Sequence, residues 1–442
     1  MKTIRKVARK IIRFPRSTPQ SRDGKFRVVY YPAFDDSTSM ADHLNRARWY
    51  LPGRTDLKVE IWFRTLSYPP ANHAPPHSPL YPWTFARPRI ARSEDQLAVA
   101  ARNADLVLVW RSEAVKQAER IVGFRQPQVV NVDIHDVASI EYGSQAVLRW
   151  RFFLSQGQRT TVLNQSRDRL KEVISSIPAD KRHFALVMGT GPSFSKYQNL
   201  SRKGGTVIAS NSAVHDTDFL ESFRPDFLVF GDAAHHVGPS HQAAEFRDHL
   251  LRALELLPDL VVVTNARYFG SLEGRWGSLT ERVIWVDQTS KEPVSNLIKN
   301  FSLPRLDSVM NILMLPLATT VSKKVFIIGA DGFLPKTEKN DDFWGHSDSF
   351  DYFSRIRTLH QAHPTYEVHR KQGTRGNPPT GLRHNKSVSE SLTIGEGQGL
   401  RYYALMPSSI PAFADRLVPP EVQQAHQDRG FLNLRTLADV LV

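Results

Sequence analysis

The sequence contains no cysteine among its 442 residues. Disulfide bonds, thiolate zinc sites and cysteine nucleophiles are therefore excluded. No run approaches the ~18 apolar residues that a membrane-spanning helix needs, and no signal-peptide pattern occurs. These absences lead us to expect a cytoplasmic protein.

What the sequence does contain is an ordinary globular composition, with 41% hydrophobic and 23% charged residues. The chain is longer than the roughly 100–200 residues of a single domain, so two domains are expected. We place a basic tail at residues 1–25, a first domain with its connecting helix at 26–177, and a second domain at 178–442.

Much of the formal charge of +14 lies in the tail, which contains nine basic side chains and one acidic side chain. Apolar residues recur at helical spacing between Ile4 and Ile12, and Pro15 ends the pattern. Such a basic amphipathic helix can lie on an anionic membrane surface; a solvated tail and a nucleic-acid contact are the alternatives. Aromatic residues are not interleaved with the charges as base stacking would require. We expect peripheral association with the inner membrane and no nucleic acid.

Apolar runs and helical periods alternate along both domains, which predicts an α/β fold of two Rossmann-like domains with mainly parallel sheets. In the first domain a proline-rich stretch at 68–88 predicts a long loop, and in the second a polar stretch at 373–399 predicts a mobile loop. Strands are predicted at 27–31, 58–63, 105–110, 128–132, 184–188, 206–210, 225–232, 260–265, 283–287 and 324–331, and helices at 40–51, 94–103, 114–121, 241–257 and 307–321.

A glycine turn follows the strand predicted at 184–188. It reads Gly189-Thr190-Gly191-Pro192-Ser193, and proline suits the first turn of a helix. Glycine lets the backbone approach a ligand, and free N–H groups at a helix N-terminus favour phosphate. The turn therefore predicts a nucleotide site, with packing alone as the alternative.

Three predicted strands end in a polar residue: Asn211, Asp232 and Asp331. In open α/β sheets ligands bind at the carboxyl edge, so these residues are candidates for donor binding. His346 lies in a short loop after the strand that ends at Asp331, and a histidine titrating near neutral pH suits a general base.

Several short motifs occur in a shared order over residues 184–413. They are GTGPS (189–193), Asn211, Arg305 with Ser308, IGAD (328–331), GHS (345–347) and YYALMPSS (402–409). This order resembles the bacterial sialyltransferases that use CMP-sialic acid. The resemblance implies that His346 is the general base and that Arg305 contacts the donor. It also implies that the nucleotide sugar is held by Gly189, Gly191, Ser193, Asn211, Ser308, Ser408 and Ser409.

The sequence also departs from that family. Thr190 stands where the family has asparagine, and residues 333–344 lack the two tyrosines that hold the leaving phosphate, leaving Lys336, Lys339 or Arg305 as substitutes. The motif around Asp232, with GTGPS and IGAD, also resembles the domain shared by archaeal hydroxymethylpterin pyrophosphokinases and motility-accessory proteins that modify flagellin.

The resemblance implies an inverting, metal-independent glycosyltransferase that moves a nonulosonic sugar from a CMP donor to a bacterial surface glycan. It would need no cofactor beyond the nucleotide-sugar donor. A pyrophosphokinase-like enzyme, holding Mg²⁺ on carboxylates such as Asp232 and Asp331, and a non-catalytic nucleotide- or glycan-binding module are the alternatives.

No metal site is expected from the histidines near Asp232. His235 and His236 are adjacent and point apart, and no pair on one helix face has the H-x-x-x-H spacing with an acid.

Overall fold

The computed structural model describes the chain in a series of segments. These are residues 25–37, 39–40, 43–44, 47, 58–66, 86–123, 128–133, 150, 154–232, 236–237, 241–269, 277–306, 308–332, 347, 350 and 378–441. The fold is mixed α/β with mainly parallel sheets, as the alternation of patterns predicts. The basic tail, apart from Lys25, lies outside the described residues, as does most of the helix predicted at 40–51.

The chain divides into two compact units. The first comprises Met1–Thr160, Gly238–Ser240 and Arg267–Gly274, and the second Thr161–Val237, His241–Ala266 and Arg275–Val442. The division falls inside the helix Gln156–Ser176, earlier in the chain than residue 177. Leu170 and Ile174 of this helix are buried in the core of the second unit, which explains the earlier division.

The first unit is built on a five-stranded parallel sheet in the order β3-β2-β1-β4-β5. Helices Glu94–Arg102 and Val115–Val122, with a short 3₁₀ turn at Ser112–Ala114, connect its later strands. The strands are β1 (Lys25–Tyr31), β2 (Lys58–Phe63), β3 (Ala86–Ile90), β4 (Leu106–Val109) and β5 (Gln128–Asn131).

Strand β3 begins inside the predicted loop at 68–88, so the prediction was wrong at its end. All five of its residues pair with β2, which supplies their backbone hydrogen bonds. β3 is one of the two edge strands of this sheet, and an edge tolerates Pro88 because proline lacks the N–H that a central strand must donate.

The second unit contains a seven-stranded parallel sheet in the order β11-β10-β9-β8-β6-β12-β13 and a small sheet in the order β14-β15-β7. Its central strands are apolar on both faces, as expected for a parallel sheet covered on both sides. The strands are β6 (Phe184–Met188), β7 (Leu200–Ser201), β8 (Gly205–Ser210), β9 (Phe227–Phe230), β10 (Val261–Asn265), β11 (Val283–Val286), β12 (Lys324–Ile328), β13 (Arg401–Ala404), β14 (Gln427–Asp428) and β15 (Phe431–Asn433).

The described helices of this unit flank the sheet or follow its strands. Those of α type are Gln156–Ser176, Thr217–Phe223, His241–Leu256, Leu315–Val321, Pro378–Gly397, Pro411–Ala414, Pro420–Ala425 and Leu434–Val440. Shorter turns of 3₁₀ type are Ala179–Arg182, Pro192–Asn199, Asn211–His215 and Gly277–Arg282, and a π-helical turn spans Met310–Met314. The 3₁₀ turn Ala266–Tyr268 begins in this unit and continues into residues of the first.

The loop predicted at 373–399 is wrong over most of its length, because a 20-residue helix occupies Pro378–Gly397. One face of this helix is buried at the helical period, but its members are mostly small or polar, so no apolar period marks it. Arg416 holds the end of the helix through two hydrogen bonds to Glu396, of 2.6 and 2.7 Å. The inward face includes His384, Ser387, Val388 and Leu392.

Candidate functional site

The order of strands in the seven-stranded sheet reverses beside β6. From β6 the chain moves outward through β8 to β11, then returns to place β12 on the other side of β6. Met188 at the end of β6 is level with Ala209 and Ile328 of its neighbours. The turns after these three strands therefore lie side by side, about 4.8 Å apart, at the switch point where ligands bind in such sheets.

The two glycines of the turn after β6 pack against the turn after β12. A Cβ atom on Gly189 would lie 2.3 Å from the Gly329 carbonyl oxygen, and one on Gly191 would lie 2.2 Å from Asp331 Oδ2. The Gly189 N–H donates to Ile328 O and the Gly191 N–H to Gly329 O, each at 2.9 Å. The expectation that these N–H groups are free for phosphate is therefore wrong; both glycines are required by close backbone approach.

Asp331 occupies the N-terminus of the 3₁₀ helix Pro192–Asn199. Its carboxylate accepts the Ser193 N–H at 3.2 Å and the Ser193 Oγ–H at 3.0 Å. The Ser193 hydroxyl in turn accepts the Gly329 N–H at 3.0 Å. Burial raises the pKa of Asp331 although Ser193 favours the ionised form. A carboxylate of the protein itself thus occupies the place where the sequence predicts a phosphate.

The segment around Ser408 and Ser409 docks on the same turn. Ser408 Oγ donates to Ala330 O at 2.6 Å, and the Ser409 N–H donates to Asp331 O at 2.8 Å. The structure thus brings Ser193, Asp331, Ser408 and Ser409 together. A narrow cleft runs between the two segments, lined in part by Ser193, Ala330, Met406 and Ser408.

On the other side of β6, Asn211 and Ser308 differ from these residues in backbone conformation and in hydrogen bonding. Both adopt left-handed backbone conformations, with φ of 45° at Asn211 and 75° at Ser308. Within the described part of the chain, Asn211 Oδ1 and Ser308 Oγ are buried without a hydrogen-bond partner. Buried polar atoms in native proteins are nearly always paired, and strained residues persist mainly at ligand sites. These two atoms are therefore candidates for hydrogen bonds to a ligand.

The helix that begins after Ser308 opens with an unusual turn. Met310–Met314 is π-helical and runs into the α-helix Leu315–Val321, where Pro316 cannot donate a backbone hydrogen bond to the preceding turn. Gly231 lies at the end of β9, and a Cβ atom there would be 3.6 Å from Val309 Cγ2. The start of this helix therefore lies against the carboxyl end of β9, beside Asp232.

Asp232 and Arg305 complete this side of the sheet edge. The Asp232 N–H donates to His236 Nδ1 at 3.1 Å, and the His236 ring packs against Phe246 with centroids 4.3 Å apart, so His236 has a structural role. Arg305 is exposed, and its backbone N–H donates to Ser290 O at 3.0 Å. Its guanidinium bonds to none of the residues that the structure describes.

His346, Lys336 and Lys339 lie outside the described residues. Ser347, which follows His346 in the sequence, is described and buried. Its N–H donates to Thr190 O at 2.9 Å, in the middle of the glycine turn. Phe350 packs on Phe194 with ring centroids 4.8 Å apart. The chain on the C-terminal side of the GHS motif is thus attached to the turn after β6.

A group of three residues that sequence reasoning missed lies close to this edge. His215 ends the 3₁₀ helix that begins at Asn211, and Glu245 and His249 come from the helix His241–Leu256. Their metal-ligating atoms lie within 4.8 Å of one another. Glu245 and His249 form a Glu-x-x-x-His pair, a spacing that the H-x-x-x-H criterion does not cover.

No described helix is long and apolar enough to cross a membrane.

No protein-family model and no curated protein matches the chain. Among solved structures, the chain has a weak similarity to the periplasmic metal-binding protein from Candidatus Liberibacter asiaticus. A manganese-bound mutant is 12% identical with a TM-score of 0.15, and a metal-free mutant is 12% identical with a TM-score of 0.14. In each case 67% of this chain and 98% of the other are covered, and the TM-scores are too low to inform fold or function.

Proposed function

We propose that the second unit is a sialyltransferase-like domain that binds a nucleotide sugar at the switch point, and that both units are Rossmann-like. The proposed reaction is inverting transfer of a nonulosonic sugar from CMP to a glycan acceptor, with no metal ion on the donor phosphate. The observation that carries this proposal is the pair of oxygens on Asn211 and Ser308, which are buried without a partner among the residues that the structure describes.

In this proposal, residues on both sides of β6 contact different parts of the nucleotide-sugar donor. Asn211 Oδ1 accepts a hydrogen bond from a hydroxyl of the donor, and Ser308 Oγ donates one to the donor phosphate, which would satisfy two atoms that have no partner among the described residues. Arg305 supplies the cation for the donor phosphate or carboxylate, since its guanidinium bonds to none of the residues that the structure describes. The segment that carries Ser408, which docks on the turn after β12, lies beside the cytosine of the donor in this proposal.

His346 is the proposed general base. It would take the proton of the acceptor hydroxyl as that oxygen attacks the anomeric carbon, while the bond from that carbon to the CMP phosphate breaks. Support comes from its neighbour Ser347, whose N–H is bonded to Thr190 in the glycine turn.

The proposal predicts a nucleotide preference that calorimetry can measure. Titration with CMP, UDP, GDP and ATP should show binding of CMP, and Arg305→Ala should weaken it about tenfold or more because a charge-assisted contact is lost. His346→Ala should leave CMP affinity unchanged and lower kcat on a defined acceptor by about 10²–10⁴-fold.

Binding of ATP instead of CMP would favour the pyrophosphokinase-like alternative. That reaction needs carboxylates free to hold Mg²⁺, whereas the Asp331 carboxylate is engaged by Ser193. An enzyme carrying His346→Ala that turns over at the wild-type rate would remove this histidine from the mechanism.

We also propose that the basic tail holds the protein at an anionic membrane surface. Deletion of residues 1–14 should abolish sedimentation with anionic liposomes and leave activity on a soluble acceptor intact. Unchanged liposome binding would contradict this role.

A further inference from the structure

Two helices present metal-binding side chains to each other beside the candidate donor site. His215 is the last residue of the 3₁₀ helix Asn211–His215. Glu245 and His249 are four residues apart on the helix His241–Leu256, so they project from the same face. Each of the three is half-buried, which leaves the group open to an ion from solvent.

The spacing of their ligand atoms is close to that of a metal site. His249 Nε2 lies 3.9 Å from Glu245 Oε1, and the rings of His215 and His249 have centroids 4.4 Å apart. Ligands of a tetrahedral zinc ion, each at about 2.0–2.1 Å from the metal, are about 3.4 Å apart. Small side-chain rotations would therefore bring all three atoms onto one ion.

We propose that His215, Glu245 and His249 bind a divalent transition metal of the zinc class. Two imidazoles and one carboxylate are the ligand set of open zinc sites, in which water or another ligand takes the fourth position. Magnesium and calcium prefer all-oxygen sites, whereas imidazole ligands suit zinc, copper, iron and nickel.

The site is distinct from the proposed donor site, and the inference does not rest on the transferase assignment. A 3₁₀ helix rises about 2 Å per residue, so His215 lies roughly 8 Å along the helix from Asn211. A metal there would tie the helix Asn211–His215 to the helix His241–Leu256 and so hold Asn211 in place. It would position the donor-binding segment and take no part in the transfer step itself.

Zinc binding to tag-free, chelator-stripped protein tests the inference. In competition with a chromogenic zinc chelator, the wild type should bind one zinc ion per chain. His215→Ala, Glu245→Gln and His249→Ala should each weaken that binding at least tenfold, because each removes one of three protein ligands. Cobalt substitution should give the intense visible absorption of a tetrahedral site in the wild type and lose it in the variants.

Matched controls come from residues outside the cluster. Glu255→Gln, on the same helix, and His183→Ala, at an exposed histidine, should bind zinc like the wild type. Zinc should also raise the melting temperature of the wild type and not of Glu245→Gln, a variant that keeps the shape of the side chain. Zinc binding that is absent from the wild type, or equal in the wild type and in a folded Glu245→Gln variant, would overturn the proposal.

Discussion

The two sides of strand β6 differ in how their polar groups are satisfied. Toward β12, the named polar groups of Ser193, Asp331 and Ser408 all have partners within the protein. Toward β8 and β9, Asn211 Oδ1 and Ser308 Oγ are buried without a partner in the described part of the chain. Both sides carry motif residues of one candidate site, yet only one of them is complete by itself.

Because of this difference, removal of a polar group should have different effects on the two sides of β6. A paired group lost from the first side leaves its partner buried and unsatisfied, which costs free energy of unfolding. On the second side, a group removed before any ligand is bound leaves no partner behind. We therefore expect variants of the first side to lose stability and variants of the second to lose affinity.

The largest effect is expected where the two glycine turns touch. In Gly329→Ala the added Cβ would lie 2.1 Å from the Gly189 carbonyl oxygen at a residue with φ of 71°, so we expect a loss of more than about 3 kcal/mol in urea unfolding. Gly399→Ala has a similar φ of 81° but open space around it, and should cost only about 1 kcal/mol. An equal loss of unfolding free energy in the two variants would mean that the close approach of the two turns adds nothing to the cost of the substitution.

A matched pair of variants tests the contrast directly. Ser193→Ala should lower the free energy of unfolding by about 1–3 kcal/mol, because the Gly329 N–H and the Asp331 carboxylate each lose a partner. Asn211→Gly removes a side chain at a φ of 45° that suits glycine, and should leave stability nearly unchanged while weakening CMP binding about tenfold. If Asn211→Gly is the less stable variant and binds CMP normally, the division between the two sides is wrong.

The smallest effect is a pH dependence at Asp331. The folded-state pKa of Asp331 is raised above the ordinary value of 3.8. At pH values between these two pKa values the folded chain therefore binds more protons than the unfolded chain. The stability of the wild type relative to Asp331→Asn should therefore fall as pH rises from about 4 through the raised pKa, and then level off. Urea unfolding of both proteins across that range gives the difference, and a difference that grows with pH would contradict the assignment.

The sequence predicts most of the sheet because parallel strands buried on both faces leave continuous apolar runs, as at β6 and β12. The loop prediction at 373–399 was wrong because the buried face of the helix Pro378–Gly397 includes the polar residues His384 and Ser387. In the interior, Asn311 Nδ2 donates to Ser387 Oγ at 2.7 Å. A helix face stabilised by buried polar contacts carries no hydrophobic period.

The position of Asn211 and Asp331 at the edge of the sheet was predictable from the sequence, whereas the hydrogen-bond partners around them were not. Strand ends locate Asn211 and Asp331, because the carboxyl edge of a parallel sheet is shared by neighbouring strands. Their partners depend on the register between distant strands, which the sequence does not display. Asp331 occupies the helix N-terminus, and the N–H groups of Gly189 and Gly191 donate to Ile328 O and Gly329 O.

The contact between the turns at Gly189 and Gly329 also bears on how this chain can diverge. Each glycine is constrained by the backbone of the other turn, so a side chain gained at one cannot be accommodated by a smaller residue at the other. Related chains should therefore keep glycine at both positions, with serine and aspartate following in the order found at Ser193 and Asp331, however much the rest of the sequence changes. That spaced pattern offers a signature for tracing distant relatives.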